Sequence, residues 1–225
     1  MVVTRAALIE GRFERMVAEA APDLTIMTAE ERARSITATL AARPEATADG
    51  GAWVFGYGSL IWNPAFHYRV RETGTIHGFH RRFCLWTPAG RGTPECPGLV
   101  LGLDRGGSCR GVVFRLTAEQ AATELDIIWR REMVAHTYRP RWVRVQRPAS
   151  PAVHAISFVV DQGHDRYAGN LDESHAAHTL ARAEGAFGSA ADYLFSTVDH
   201  LRELGLRDHG LERLRRRVAA LKAGE

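Results

Sequence analysis

Lysine is almost absent from this chain: of 29 basic side chains, Lys222 alone is a lysine. With the abundant alanine, this reads as the codon usage of a GC-rich genome. Arginine clusters at Arg213-Arg215-Arg216-Arg217 and Arg139-Arg141-Arg144 offer charge for phosphates. Few aromatics interleave with them, no nucleic-acid motif occurs, and the net charge is only +3, so no nucleic-acid partner is expected. Cysteine is scarce as well. Cys84, Cys96 and Cys109 are odd in number and lack a CxxC spacing, which argues against a disulfide frame or a zinc site and for free thiols in a reducing compartment. There is no run of eighteen apolar residues, so no membrane span is expected. Met1 to Ala20 alternates charged and apolar residues and lacks the apolar centre of a signal peptide. These absences point to a cytoplasmic protein. With 225 residues, 45% of them hydrophobic, the chain can bury one sizeable core.

Periodicity divides the chain. Leu8, Ile9, Phe13, Met16, Val17 and Ala20 share a helical face over Thr4 to Ala20, and Pro22 ends that element. Thr28 and Glu31 form a capping box for a second helix that runs toward Pro44, and Thr47 to Gly51 reads as a linker. Residues 1–51 are therefore expected to be a helical extension, with a domain at 52–225. From Trp53 to Val160 the signals are mostly β: Phe66 to Arg71, Thr75 to Thr87, Leu99 to Leu103, Cys109 to Leu116, Trp142 to Val145 and Val153 to Val160. Asp104-Arg105-Gly106-Gly107 reads as a hairpin turn between the third and fourth of these. Pro88 to Gly98, with three prolines and three glycines, reads as an exposed or substrate-facing loop. Helices are expected over Asp172 to Glu184, after Ser189, and after Asp208. The fold class is α+β: a mainly antiparallel, barrel-like sheet with flanking helices and the N-terminal extension.

Two features carry chemistry. The first is Trp53-Val54-Phe55-Gly56-Tyr57-Gly58-Ser59-Leu60, a short apolar strand running into a loop of two glycines around a tyrosine. Glycine permits positive φ and bare backbone against a ligand, and consecutive N–H groups in such a loop can hold a carboxylate or phosphate. A glycine-rich turn after a core strand is the plainer reading. The second is Glu132. Thr117 to Gln120 is a capping box opening a helix in which Ala121, Leu125, Ile128 and Glu132 fall in one sector at about 100° per residue. Glu132 thus points where the core points, while Arg130 and Arg131 splay elsewhere. Desolvation there raises a carboxyl pKa toward values useful for proton transfer. Against this stands the ordinary alternative of a last-turn glutamate bent into solvent or paired with an arginine.

Other motifs fail on inspection. Ile61 stands where the third glycine of GxGxxG belongs, and Ser59 lacks the flanks of a nucleophile elbow. His77 and His80 sit three apart in a strand, on opposite faces, and His175 with His178 lacks a third ligand, so no metal is expected.

Together, Val54 to Trp62 and Arg130-Arg131-Glu132-Met133 resemble the ChaC-like γ-glutamylcyclotransferases. His80 to Trp86, Pro97 to Gly111, Tyr167-Ala168-Gly169 and Asp192-Tyr193-Leu194 fit the same family, so the resemblance runs from Ala52 to Val218. It implies cleavage of glutathione to 5-oxoproline and cysteinylglycine without metal or organic cofactor. It also implies that Phe55, Gly56, Tyr57, Gly58, Ser59 and Leu60 bind the γ-glutamyl group, that Glu132 is the catalytic acid/base, and that Tyr138 and Tyr167 lie at the substrate. In that scheme the N–H groups of Gly58, Ser59 and Leu60 hold the α-carboxylate without an arginine, and Tyr57 is a possible oxyanion donor. A cyclotransferase for other γ-glutamyl amines, or a non-catalytic carboxylate-binding module, would carry the same motifs.

Overall fold

The computed structural model describes residues 3–44 and 50–224; the predicted linker residues Thr47, Ala48 and Asp49 lie outside these. The elements are α1 (Arg5–Ile9), α2 (Arg12–Ala20), α3 (Ala29–Ala41), β1 (Ala52–Gly56), β2 (Val70–Thr87), β3 (Gly98–Leu116), α4 (Ala118–Glu132), β4 (Tyr138–Val145), β5 (Val153–Val160), α5 (Glu173–Arg182), β6 (Glu184–Gly185), β7 (Gly188–Ser189), α6 (Ala190–Glu203) and α7 (His209–Ala223).

The five long strands are ordered β2-β3-β1-β5-β4. β2 with β3, β3 with β1, and β5 with β4 are antiparallel. β1 with β5 is parallel, pairing Val54 with Ile156. The sheet curls until its ends touch: Thr75 and Gln146 exchange backbone hydrogen bonds of 2.9 and 2.8 Å. The expected barrel-like, mainly antiparallel sheet is present. Pro140 is tolerated in β4 because the strand lies at the sheet's end, where a missing N–H leaves no ladder bond broken.

Several local expectations are corrected. The single helix over Thr4 to Ala20 is two helices, because Gly11 takes φ 67° between them; Ile9 is consequently 53% exposed. The hairpin at residues 104–107 does not form. β3 runs straight through, with both halves paired to β2, and Gly78, Gly106 and Gly107, all at positive φ, make a bulge between the pairs His77–Ser108 and Phe79–Arg105. The helix after Asp172 stops at Arg182, and a two-residue hairpin, β6–β7, precedes the Ser189-capped α6. The capping box of α3 is complete, but at α4 the Thr117 side chain makes no cap bond to the backbone.

α4 matters most for the site. Leu125, Ile128 and Trp129 are at most 1% exposed and seat it on the sheet. Each such side chain contributes roughly 1.5–3 kcal/mol on burial. The Trp129 ring meets Phe158 of β5 edge-on at 5.0 Å, and its Nε1–H donates to Ser35 Oγ on α3 at 2.9 Å. Gripped on both sides, α4 brings its last residue, Glu132, to a defined place.

Candidate active site

β1 delivers the chain at Gly56 into a loop and one 3-10 turn, Ser59–Ile61. Neither Gly56 nor Gly58 takes positive φ, so the reason for glycine is close approach. A Cβ on Gly56 would lie 3.0 Å from Leu60 Cβ, and one on Gly58 would lie 3.1 Å from the Tyr193 hydroxyl. From behind, the buried Arg81 guanidinium donates to Tyr57 O at 2.6 Å and pairs with Asp208, the N-cap of α7, at 2.9 Å.

Tyr57, Gly58, Ser59, Leu60, Glu132 and Tyr138 surround one hollow of about 40 Å³. A water needs about 10–15 Å³ by such a measure, so the hollow admits an ammonium or carboxylate head and little more. Ser59, Glu132, Tyr138 and Tyr193 also line a second cavity of about 300 Å³. The small hollow therefore adjoins the larger cavity, and the acid and the loop line it together. Phe55, Gly56 and Tyr167 line neither space. The Phe55 ring is wholly buried in the core, and the Tyr167 hydroxyl donates to Asp104 Oδ2 at 2.8 Å.

Two glutamates on α4 point inward, Glu124 buried and Glu132 half-buried, and their surroundings separate their roles. Glu124 is held by Arg5 through both oxygens, at 2.5 and 2.8 Å, and accepts the His67 N–H at 2.9 Å. Burial raises its pKa, but Arg5 and His67 together bring it below the ordinary value. That makes Glu124 a structural anion. Glu132 has one close charge, Arg131 Nε at 3.3 Å, and its side chain is 14% exposed. Burial pushes its carboxyl above the ordinary glutamate value, and Arg131 only partly offsets this. Of the two, Glu132 is the carboxylate suited to exchanging a proton.

Sequence reasoning placed Arg131 on another side, and this is corrected. Its long side chain folds back so that the guanidinium donates to Ser59 Oγ at 2.7 Å and to Asn63 O, tying the acid's helix to the loop. Tyr193 is the other residue missed as a site group. Burial and the nearby Glu132 charge push its phenol up to about 12, so at neutral pH it donates hydrogen bonds and accepts no proton. Tyr57 and Tyr138 spend their hydroxyl protons on Phe158 O and Leu101 O, at 2.9 and 2.8 Å. Tyr57 thus has no free proton for an oxyanion. Arg91, whose guanidinium lies 5.6 Å over the Tyr193 ring, and Arg166, which donates to Trp86 O at 2.6 Å, add two cations to the larger cavity. Arg91 lies in the loop read as exposed or substrate-facing. Nothing in the local pattern marked Arg166. Among the described residues no cluster of His, Cys, Asp or Glu is arranged to hold a metal ion.

An acid and a backbone loop lining one small hollow have the geometry of a small-molecule binding site on a curled α+β barrel. The same fold occurs in a yeast γ-glutamylcyclotransferase specific to glutathione, which matches 78% of this chain and 98% of its own at a TM-score of 0.72 and 23% identity. Residues 52–221 match the model of the ChaC-like protein family, and the chain belongs to that family. Its relatives include a glutathione-specific gamma-glutamylcyclotransferase of Escherichia coli (strain K12), 43% identical over 84% of this chain and 80% of the relative. Another is the human glutathione-specific gamma-glutamylcyclotransferase 1, 30% identical over 68% of this chain and 71% of the relative.

Proposed function

We propose that this protein cleaves glutathione by cyclising its γ-glutamyl group, releasing 5-oxoproline and cysteinylglycine. The observation that carries this reading is the shared hollow, lined by the Gly58–Leu60 segment and by Glu132, whose carboxyl burial lifts above the ordinary glutamate value. Ionised, Glu132 takes a proton from the substrate's α-ammonium group. The freed amine attacks its own γ-carbonyl and closes a five-membered lactam, and Glu132 returns the proton to the departing cysteinylglycine amine. Nucleophile and electrophile share one molecule, so the protein's main task is to hold the folded conformer. Such orientation supplies on the order of 7–11 kcal/mol.

The N–H groups of Gly58, Ser59 and Leu60 hold the α-carboxylate, joined by Tyr193. Tyr138 walls the same end, and Phe55 and Gly56 act by seating the loop. Tyr167 stays outside this assignment. Arg91 and Arg166 on the cavity wall suit a substrate with a second carboxylate at its far end, as glutathione has and simple γ-glutamyl amines lack. No metal or cofactor enters the chemistry. We further infer a catalytic domain at 52–225 carrying an extension at 1–51, in keeping with the start of the family match at residue 52. The three free thiols favour a reducing compartment, the cytoplasm, and among the described residues no helix is long and apolar enough to cross a membrane.

The test is Glu132→Gln, which keeps shape and removes the base. 5-Oxoproline release from glutathione should fall at least about 100-fold, in the range of general acid–base contributions, with the melting temperature retained. Near-wild-type turnover in the folded variant rejects the assignment.

A further inference from the structure

The family match begins at residue 52, but the wall of the cavity does not. Val3, Phe13, Val17 and Leu24 line the same space as Glu132. Phe13 of α2 stacks on Phe187, in the β6–β7 turn, at 5.8 Å and 11°. Phe187 is itself fixed: its N–H donates to Gly90 O at 2.7 Å, and a Cβ on Gly90 would strike its ring at 2.5 Å.

The segment is anchored wherever it meets the cavity. Asn63 donates to Val3 O at 2.8 Å, the Met27 N–H donates to Val134 O at 2.9 Å just past Glu132, and Arg130 of α4 reaches Glu14 of α2 at 3.2 Å. The cavity wall consequently combines polar groups, among them Glu132, Arg131, Ser59, Arg91 and Arg166, with the apolar side chains of Phe13, Val17, Leu24 and Phe187.

A γ-glutamyl peptide combines the same two kinds of group. Its zwitterionic head belongs beside Glu132 and the loop, and the side chain beyond the scissile amide then meets the apolar residues. We propose that the N-terminal segment is a specificity-determining part of the active site. Phe13, Val17 and Leu24 form, with Phe187, the subsite for the small side chain of the released amino acid, the thiol-bearing arm in glutathione. This rests on the cyclotransferase reading and adds to it that selection among γ-glutamyl peptides is made by residues outside the family's own core. A hydrophobic pocket discriminates about 10–200-fold per methylene, so enlarging this one by a phenyl ring has a large effect.

The test compares glutathione with S-propylglutathione in the wild type, Phe13→Ala and Leu24→Ala, following 5-oxoproline. The wild type should prefer glutathione. Phe13→Ala should raise KM for glutathione more than it lowers kcat, and should shift the kcat/KM ratio toward the S-propyl substrate by at least tenfold. Leu24→Ala, at a half-buried position that the fold tolerates more easily, should shift it the same way. An unchanged ratio in both variants, even with activity uniformly lowered, overturns the inference, because a merely structural role scales both substrates alike. Failure of the wild type to act on glutathione sinks the cyclotransferase reading instead. The subsite is then judged by calorimetric binding of S-propylglutathione, where tighter binding to Phe13→Ala than to wild type supports it and equal binding overturns it.

Discussion

Arg5→Met isolates one of the contacts that fasten the N-terminal segment to α4. Glu124 on α4 has a side chain only 4% exposed, while its partner Arg5 is 27% exposed. Removing one member of a fully buried pair costs about 3–5 kcal/mol, because the remaining charge is stranded. Solvent reaches the Arg5 side and the His67 N–H stays, so the expected loss is lower, about 2–3 kcal/mol. At about 2–4 °C per kcal/mol for a chain of this size, the melting temperature should drop roughly 4–12 °C.

The sign of the pH dependence follows from Glu124, whose pKa is held below the ordinary value in the folded state. The unfolded chain takes up that proton first on acidification. The pair's stabilisation is therefore full above about pH 4.3, the ordinary glutamate value, and is lost as pH falls through the lower folded pKa. The gap between wild type and Arg5→Met should close at acid pH. Adding Glu124→Gln to Arg5→Met removes the stranded charge and should recover most of the loss. Urea and thermal unfolding of the three proteins across pH measure all of this. A single variant within 1 kcal/mol of wild type, or a double variant no more stable than the single, refutes the reasoning.

Two further outcomes bear on the site. Because burial lifts the Glu132 carboxyl, kcat/KM should fall on acidification through a pH above the ordinary glutamate range, and a profile flat down to about pH 4.3 would remove Glu132 as the base. Gly58→Ala presses a Cβ to 3.1 Å from the Tyr193 hydroxyl, so a displacement of a few tenths of an ångström should lower turnover about tenfold with little change in melting temperature. Full turnover in Gly58→Ala would show that Tyr193 does not need its place.

What could be read from the residues alone was whatever depends on neighbours a few positions away. Thr28, Asp172, Ser189 and Asp208 cap their helices where expected, since a cap is a bond from a side chain to an N–H three residues on. The inward sector of Glu132 followed in the same way from helical pitch, and the glycine-bracketed loop after β1 from composition. The same local code misread Gly106-Gly107: two glycines permit a reversal or a bulge equally, and the long partner β2 decided for the bulge. Tertiary structure alone chose which inward-facing glutamate is paired with Arg5 and which has its pKa raised by burial. It alone turned Arg131 back onto Ser59, sent Tyr167 to Asp104, and laid Phe13 and Val17 along the cavity. Each of those outcomes depends on a partner far along the chain, and a field, a hollow or a wall exists only once distant segments have packed.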